Sequence, residues 1–211
     1  MGQSGGVQLD SRPPPADGTA RLFFAVWLDA APRAALGRLA QALQPKCGGR
    51  AVPNRNIHLT LVFLGDVAAS RIPDLCTLAA GVVAPTFELV IDTVNYWRHN
   101  RIVWAAPQEC PAALQTLVAA LESVLRAGGV GFDGRPYLPH ITLLRGARRA
   151  PPMQTVDAIR WRVVDFVLVQ SLSYDRTTVY EVIQRWPLGA ARHRDGDNPP
   201  CPQGPSSNGN D

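Results

Sequence analysis

Apolar positions along this chain switch between two periods. Residues 21–29 (RLFFAVWLD) are apolar, aromatic and β-branched, which predicts a strand. Residues 31–44 carry an early proline and then Leu36, Leu39 and Leu43 at helical spacing, which predicts a helix. A polar connection leads to a strand over residues 56–65, NIHLTLVFLG. Residues 69–84 predict a second helix, with Pro73 tolerable in its first turn. TFELVIDTVNYW (86–97) and RIVWAAP (101–107) predict strands joined by the turn RHN. Residues 109–128 predict a third helix stopped at Gly128–Gly129. A loop then leads to a strand in PHITLLRG (139–146), and WRVVDFVLVQSLSY with TVYEVIQRWPL predicts a hairpin across DRT.

The order strand, helix, His-x-Thr strand occurs twice. Phe24 precedes His58 by 34 residues and Val103 precedes His140 by 37, and the two histidines lie 82 residues apart. The fold class is therefore α+β, with two similar lobes whose histidine strands face each other. Residues 1–20 and 190–211 are rich in Gly, Pro, Ser and Asp and predict disordered tails around a body at 21–189.

The two repeated strands carry the chemistry. Residues i and i+2 of a strand share a face, so His58 and Thr60 stand side by side while Ile57, Leu59 and Leu61 face a core. His140 and Thr142 do the same against Ile141 and Leu143. An imidazole beside a hydroxyl on a stiff sheet can hold a phosphate. A lone His-x-Thr is usually a satisfied histidine beside a β-forming threonine; two copies at corresponding places in a repeated topology point to chemistry. In-line displacement at phosphorus needs a base on one side and an acid on the other, and histidine fills either role near neutral pH.

Composition narrows the reading. The chain has 211 residues, is 46% hydrophobic and 18% charged, and can bury a sizeable interior. A net charge of +4 favours an anionic partner. Of 21 Lys+Arg only Lys46 is lysine; arginine suits phosphate, although genome bias gives the same ratio. The four cysteines (Cys47, Cys76, Cys110, Cys201) lack a C-x-x-C pair and read as reduced thiols of a cytoplasmic protein. No apolar run is long enough for a membrane span, and the first residues lack the apolar core of a signal peptide.

Other classes fit poorly. A ligase that carries a nucleotide on lysine would have only Lys46, without following carboxylates. The G-K-[ST] of a P-loop is missing. One histidine and one threonine per motif make a poor metal set. A pancreatic-type ribonuclease also works with two histidines, and residues alone do not separate it from an enzyme acting on a finished cyclic phosphate. A protein that only binds RNA ends does not require two titrating groups.

The stretches RLFFAVWLD, NIHLTLVFLGDV, RIVWAAP and RPYLPHITLLR resemble the two-histidine (2H) phosphoesterase superfamily, in particular its bacterial RNA 2′,3′-cyclic phosphodiesterase (2′–5′ RNA ligase-like) branch, from about Arg21 to Leu188. The resemblance implies a bilobal fold with two antiparallel sheets, helices outside and a pseudo-two-fold repeat around a central cleft. It implies hydrolysis of RNA 2′,3′-cyclic phosphate ends to 2′-phosphomonoesters; for a strained cyclic phosphodiester two histidines suffice without metal or cofactor, and the chain reads as a monomer. His58 would be the proton donor to the leaving 3′-oxygen and His140 the proton acceptor that activates water, with Thr60 and Thr142 steadying the phosphoryl oxygens. Some relatives join or reopen 2′–5′ linkages in transfer RNA halves by the same chemistry reversed.

Further candidates follow from position. Arg145 would suit the charge of a phosphorane, yet strand parity sets it opposite His140, so it reaches the cleft only where the strand ends or bulges before Gly146. Arg148 and Arg149 extend a basic run that reads as solvated. Tyr137, Trp97 and Phe24 are candidates to stack on a terminal base, against core packing as the plainer alternative. His99 and His193 lack the motif and read as surface residues.

Overall fold

The computed structural model describes residues 18–174 and 177–189. The expected tails, apart from Gly18–Ala20, lie outside the described residues, as does most of the DRT turn and His193. The elements run β1 (Thr19–Trp27), α1 (Ala30–Cys47), β2 (Arg50–Ala51), β3 (His58–Ala68), α2 (Ile72–Ala80), β4 (Phe87–Trp97), β5 (Ile102–Ala106), α3 (Ala112–Ala127), β6 (Ile141–Arg145), β7 (Thr155–Val163), β8 (Asp165–Tyr174) and β9 (Thr177–Pro187). Short 3₁₀ turns at Asn54–Asn56 and Ala69–Arg71 lead into β3 and α2. β1 starts at Thr19, two residues before the expected point and inside the span read as tail.

Two sheets form, in the orders β3-β1-β8-β9 and β2-β6-β5-β4-β7. Every pairing is antiparallel. β1 pairs with β3 across α1, and β5 pairs with β6 across α3, so the repeated strand–helix–strand unit is real and each copy seeds one sheet. The lobes are not halves of the sequence, however. The final hairpin, β8–β9, returns to the first sheet, while β4 and β7 complete the second. The stretch 161–174 read as one strand is two. Trp161–Val163 ends β7 in one sheet, and Asp165 starts β8 in the other. Val164, 46% exposed among buried neighbours, marks the crossing.

The helices are exchanged as well. α1, which follows β1, packs on β2, β6 and β7 of the second sheet, and α3 packs on β3 of the first, with α2 against α3 and β9. Each helix buries one stripe: Leu36, Ala40 and Leu43 on α1, and Leu114, Leu117, Leu121 and Leu125 on α3. These merge with both sheets into one continuous core, so the two lobes cannot come apart without exposing it. Gly49 shows how tightly β2 is laid on β6. Its φ is +82°, and a Cβ there would sit 2.6 Å from the Arg145 carbonyl oxygen, which only glycine avoids.

Among the described cysteines, Cys47 and Cys110 are free. Cys76 is disulfide-bonded, contrary to the expectation of four reduced thiols. No helix of the described residues is long and apolar enough to cross a membrane.

Candidate active site

β3 and β6 meet across a cleft of about 640 Å³ whose lining includes His58, Thr60, His140, Thr142 and Arg145. The two strands present these residues in the same way. Ala25 of β1 faces Thr60, Phe24 faces Val62 and Phe23 faces Phe63, so Leu61 is an extra residue. On the other side Trp104 of β5 faces Thr142, Val103 faces Leu144 and Ile102 faces Arg145, so Leu143 is extra. Each bulge resets the alternation by one residue. Leu61 and Val62 are both buried, as are Leu143 and Leu144, and the next residue turns back to the cleft. That residue is Phe63 in one lobe and Arg145 in the other. The bulge is the condition under which Arg145 could reach the cleft, and it is met.

The histidines are held alike. The His58 Nδ1–H donates to the Asn56 carbonyl at 2.7 Å, and the His140 Nδ1–H donates to the Leu138 carbonyl at 2.9 Å. A carbonyl only accepts, so it fixes the tautomer and leaves Nε2 of each ring as the working atom. His58 Nε2 lies 3.1 Å from Thr60 Oγ1. His58 is paired with Trp27 at the end of β1, whereas His140 sits just before β6 rather than within a strand as expected.

The surroundings of the two rings differ. His58 is enclosed by Phe23, Trp27 and Tyr180, at centroid distances of 4.9, 5.7 and 5.0 Å. Burial there pushes its pKa down to about 4, with Arg145 and His140 adding repulsion. His140 has Trp97 edge-on at 4.6 Å and Trp104 at 6.4 Å. Its pKa is also lowered, first by burial and further by Arg145 and Arg135. Both imidazoles are thus neutral at pH 7 in the free protein.

The stacking candidates are redistributed. Phe24 is fully buried against Phe166 and Trp186 on the helix side of the sheet, so it does not reach the cleft. Core packing, the plainer reading of Phe24, holds, and its neighbour Phe23 on the other face lines the cleft instead. Tyr137 packs on the core, and its hydroxyl donates to the Thr60 carbonyl at 3.3 Å. It is a strut between the two motifs, not a stacking platform. Burial raises its pKa, which keeps that hydroxyl a donor. Trp97 lies against His140 and Trp104 and is not among the residues lining the cleft. His99 is exposed, 6.4 Å from the Trp97 ring.

Several lining residues were not singled out from the sequence. Phe63, Tyr180, Arg21 and Arg50 line the cleft, and β8 and β9 add Ser171, Ser173 and Thr178. Asn56, buried, ties this wall together by donating from Nδ2 to the Thr178 carbonyl at 2.7 Å. The Arg21 guanidinium lies 4.9 Å from the Phe63 ring centre and 3.4 Å from Asp66. The signal for Phe63 and Arg145 was present as two successive leucine or valine residues after each His-x-Thr, a break in alternation that predicts a bulge. The β8–β9 residues left no such mark.

Among the described residues the lining holds three arginines and two histidines and no carboxylate, a cleft suited to an anion. Among the described residues no group of three or more His, Cys, Asp or Glu side chains is placed to hold a metal ion.

Comparisons with known proteins agree with this geometry. A model of the family described as LigT like phosphoesterase matches residues 26–104. The chain is 36% identical over 173 residues to the RNA 2′,3′-cyclic phosphodiesterase of Escherichia coli (strain K12), covering 80% of this chain and 96% of that protein. It is 33% identical to the RNA 2′,3′-cyclic phosphodiesterase of Thermus thermophilus, over 83% of this chain and 93% of that one. The crystal structure of E. coli LigT complexed with 3′-AMP superposes with a TM-score of 0.74 at 34% identity, covering 81% of this chain and 98% of that chain.

Proposed function

The chain belongs to the LigT-like phosphoesterase family, and from that premise we propose that it hydrolyses the 2′,3′-cyclic phosphate end of RNA to a 2′-phosphomonoester by metal-independent acid–base catalysis between His58 and His140. The observation that carries this reading is the pair of matched Nε2 atoms, each fixed by a carbonyl behind it, on opposite walls of one anion-suited cleft.

The cyclic phosphodiester lies between the walls with its non-bridging oxygens towards Thr60, Thr142 and Arg145. His140 Nε2 takes a proton from water as the water oxygen attacks phosphorus. The bond from phosphorus to the 3′-oxygen breaks on the opposite side, and His58 Nε2–H supplies the proton that the 3′-oxygen takes up. The ring of the substrate opens, the phosphate stays on the 2′-oxygen, and the two histidines have exchanged protonation states. Phosphorus is in-line only if acid and base approach from opposite sides, which the facing strands provide.

His58 must carry a proton to serve as donor, although burial keeps it neutral in the free protein. The negative phosphodiester supplies the missing stabilisation, and it acts most strongly at the ring with least water around it. The pH dependence follows. The kcat/KM profile reports the free enzyme, in which both histidines titrate below 6.5, so its bell lies on the acid side of 6.5. The kcat profile reports the complex, and its limbs move to higher pH. A kcat/KM bell centred above pH 7 would contradict the assignment.

Phosphorus NMR of a short RNA ending in 2′,3′-cyclic phosphate, incubated with the protein and EDTA, tests the reaction itself. A 2′-phosphomonoester at an unchanged rate is the expected product. Loss of turnover that returns with added metal would show that the two histidines do not suffice, and a 3′-phosphate product would exchange their roles.

A further inference from the structure

A corner of the second sheet beside the cleft gathers five cations around Arg145 that the reaction above does not use. β2 and β6 place Arg50 against Arg145, and Arg145 faces Ile102 of β5, next to Arg101. The Ala147 N–H donates to the Arg101 carbonyl at 2.9 Å, which holds the end of β6 on the β4–β5 turn. The following residues are pinned to the end of α1, where the Arg148 and Arg149 N–H groups donate to the Cys47 carbonyl at 2.8 and 3.2 Å, next to Lys46. Lys46, Arg50, Arg101, Arg145, Arg148 and Arg149 therefore meet at one corner, all of them exposed.

Among the described residues no carboxylate forms an ion pair with them, and the ion pairs there all use other arginines. The C-terminus of α1 offers only about half a negative charge, too little for six cations. With a formal charge of +4 for the whole chain, six positive charges at one corner leave the rest net acidic. A merely solvated, soluble surface would intersperse both signs. The corner also runs into the cleft without a break, because Arg50 and Arg145 belong to both.

Resting on the function proposed above, we infer that this corner docks the sugar–phosphate backbone of a single-stranded RNA whose cyclic end occupies the cleft. Phosphates upstream of the end pass over Arg50 and Arg145 to Arg101, Arg148 and Arg149. The preferred substrate is then an oligonucleotide and not a free cyclic mononucleotide.

The test compares wild type with a triple variant, Arg101→Asn/Arg148→Gln/Arg149→Gln, on an RNA octamer with a cyclic end and on 2′,3′-cyclic AMP. Asparagine suits position 101, where φ is +57°. At about 50 mM salt, kcat/KM for the octamer falls roughly 30-fold in the variant. The slope of log kcat/KM against log salt shrinks by about 2, at about 0.7 for each single-strand phosphate that is no longer neutralised. Turnover of cyclic AMP stays within about twofold, since it has no upstream phosphate to dock. Equal losses on both substrates, or an unchanged octamer rate and salt slope, overturn the docking surface. Failure of wild type to turn over either substrate would instead count against the proposed function. In that case fluorescence anisotropy of an octamer ending in 2′-phosphate still decides the surface: the variant binds it with the shallower salt dependence, or the inference is wrong.

Discussion

Asparagine at either His58 or His140 leaves a folded protein whose kcat on a cyclic-ended RNA is lower by about 10³-fold, within the 10²–10⁴ typical of a positioned acid or base. Asparagine is the informative choice because its side-chain amide can still donate towards the carbonyls of Asn56 and Leu138, where the Nδ1–H groups donate now. What it lacks is Nε2. The loss then measures proton transfer and not a collapsed strand, and circular dichroism with a thermal melt confirms that the fold is retained. The two histidines act in the same step, so the double variant loses far less than the product of the single losses. Either single variant within tenfold of wild type in a single-turnover assay would remove that histidine from the chemistry.

The His58 variant carries a second, independent readout. Its folded pKa, about 4, lies below the ordinary 6.5 of an exposed histidine. As pH falls through 6.5 the unfolded chain takes up a proton that the folded one refuses, so stability is complete above 6.5 and declines until pH 4. The amount at stake is at most about 3.5 kcal/mol. His58→Asn removes this group, so its stability changes less than that of wild type across the same window. A wild-type melt that is flat between pH 6.5 and 4 would mean that the aromatic enclosure formed by Phe23, Trp27 and Tyr180 opens to water.

Much of this architecture was legible because the polypeptide writes its core in periods. The helices at 31–44 and 109–128, the strand that starts at His58 and the one that follows His140 were legible from spacing, and their repetition predicted two facing lobes. What was not legible is long-range partnership. Nothing local in WRVVDFVLVQSLSY says that the chain changes sheets at Val164, since both segments are apolar and β-branched. Likewise the Ser171, Ser173, Thr178 and Tyr180 wall depends on β8–β9 returning to β1, more than 140 residues away in sequence. Phe23 was missed for a smaller cause, the absolute phase of an almost wholly apolar strand: in LFFAV every residue is buried, and composition does not reveal which face looks at the cleft.

Arg145 separates the two lobes, and its removal is the second large effect. The backbone makes Phe63 and Arg145 equivalent, each following an extra residue after His-x-Thr, so geometry alone would leave acid and base interchangeable. The side chains break that equivalence by placing a ring beside one pair and a guanidinium beside the other. A phosphorane gains charge on its non-bridging oxygens, and a guanidinium in the cleft wall meets that charge with two parallel N–H donors. Arg145→Ala therefore lowers kcat by about 10²–10³-fold, as loss of one oxyanion donor typically does. Arg145→Lys recovers only part of it, because an ammonium lacks the planar fork. The same cation repels protons from both imidazoles. Taking it away raises both histidine pKa values, so the kcat/KM bell of Arg145→Ala moves to higher pH as its height falls. A purely structural role would lower the rate without moving the bell. A variant with kcat within about threefold of wild type and an unmoved bell would return Arg145 to the docking surface and leave the two threonines to hold the phosphate.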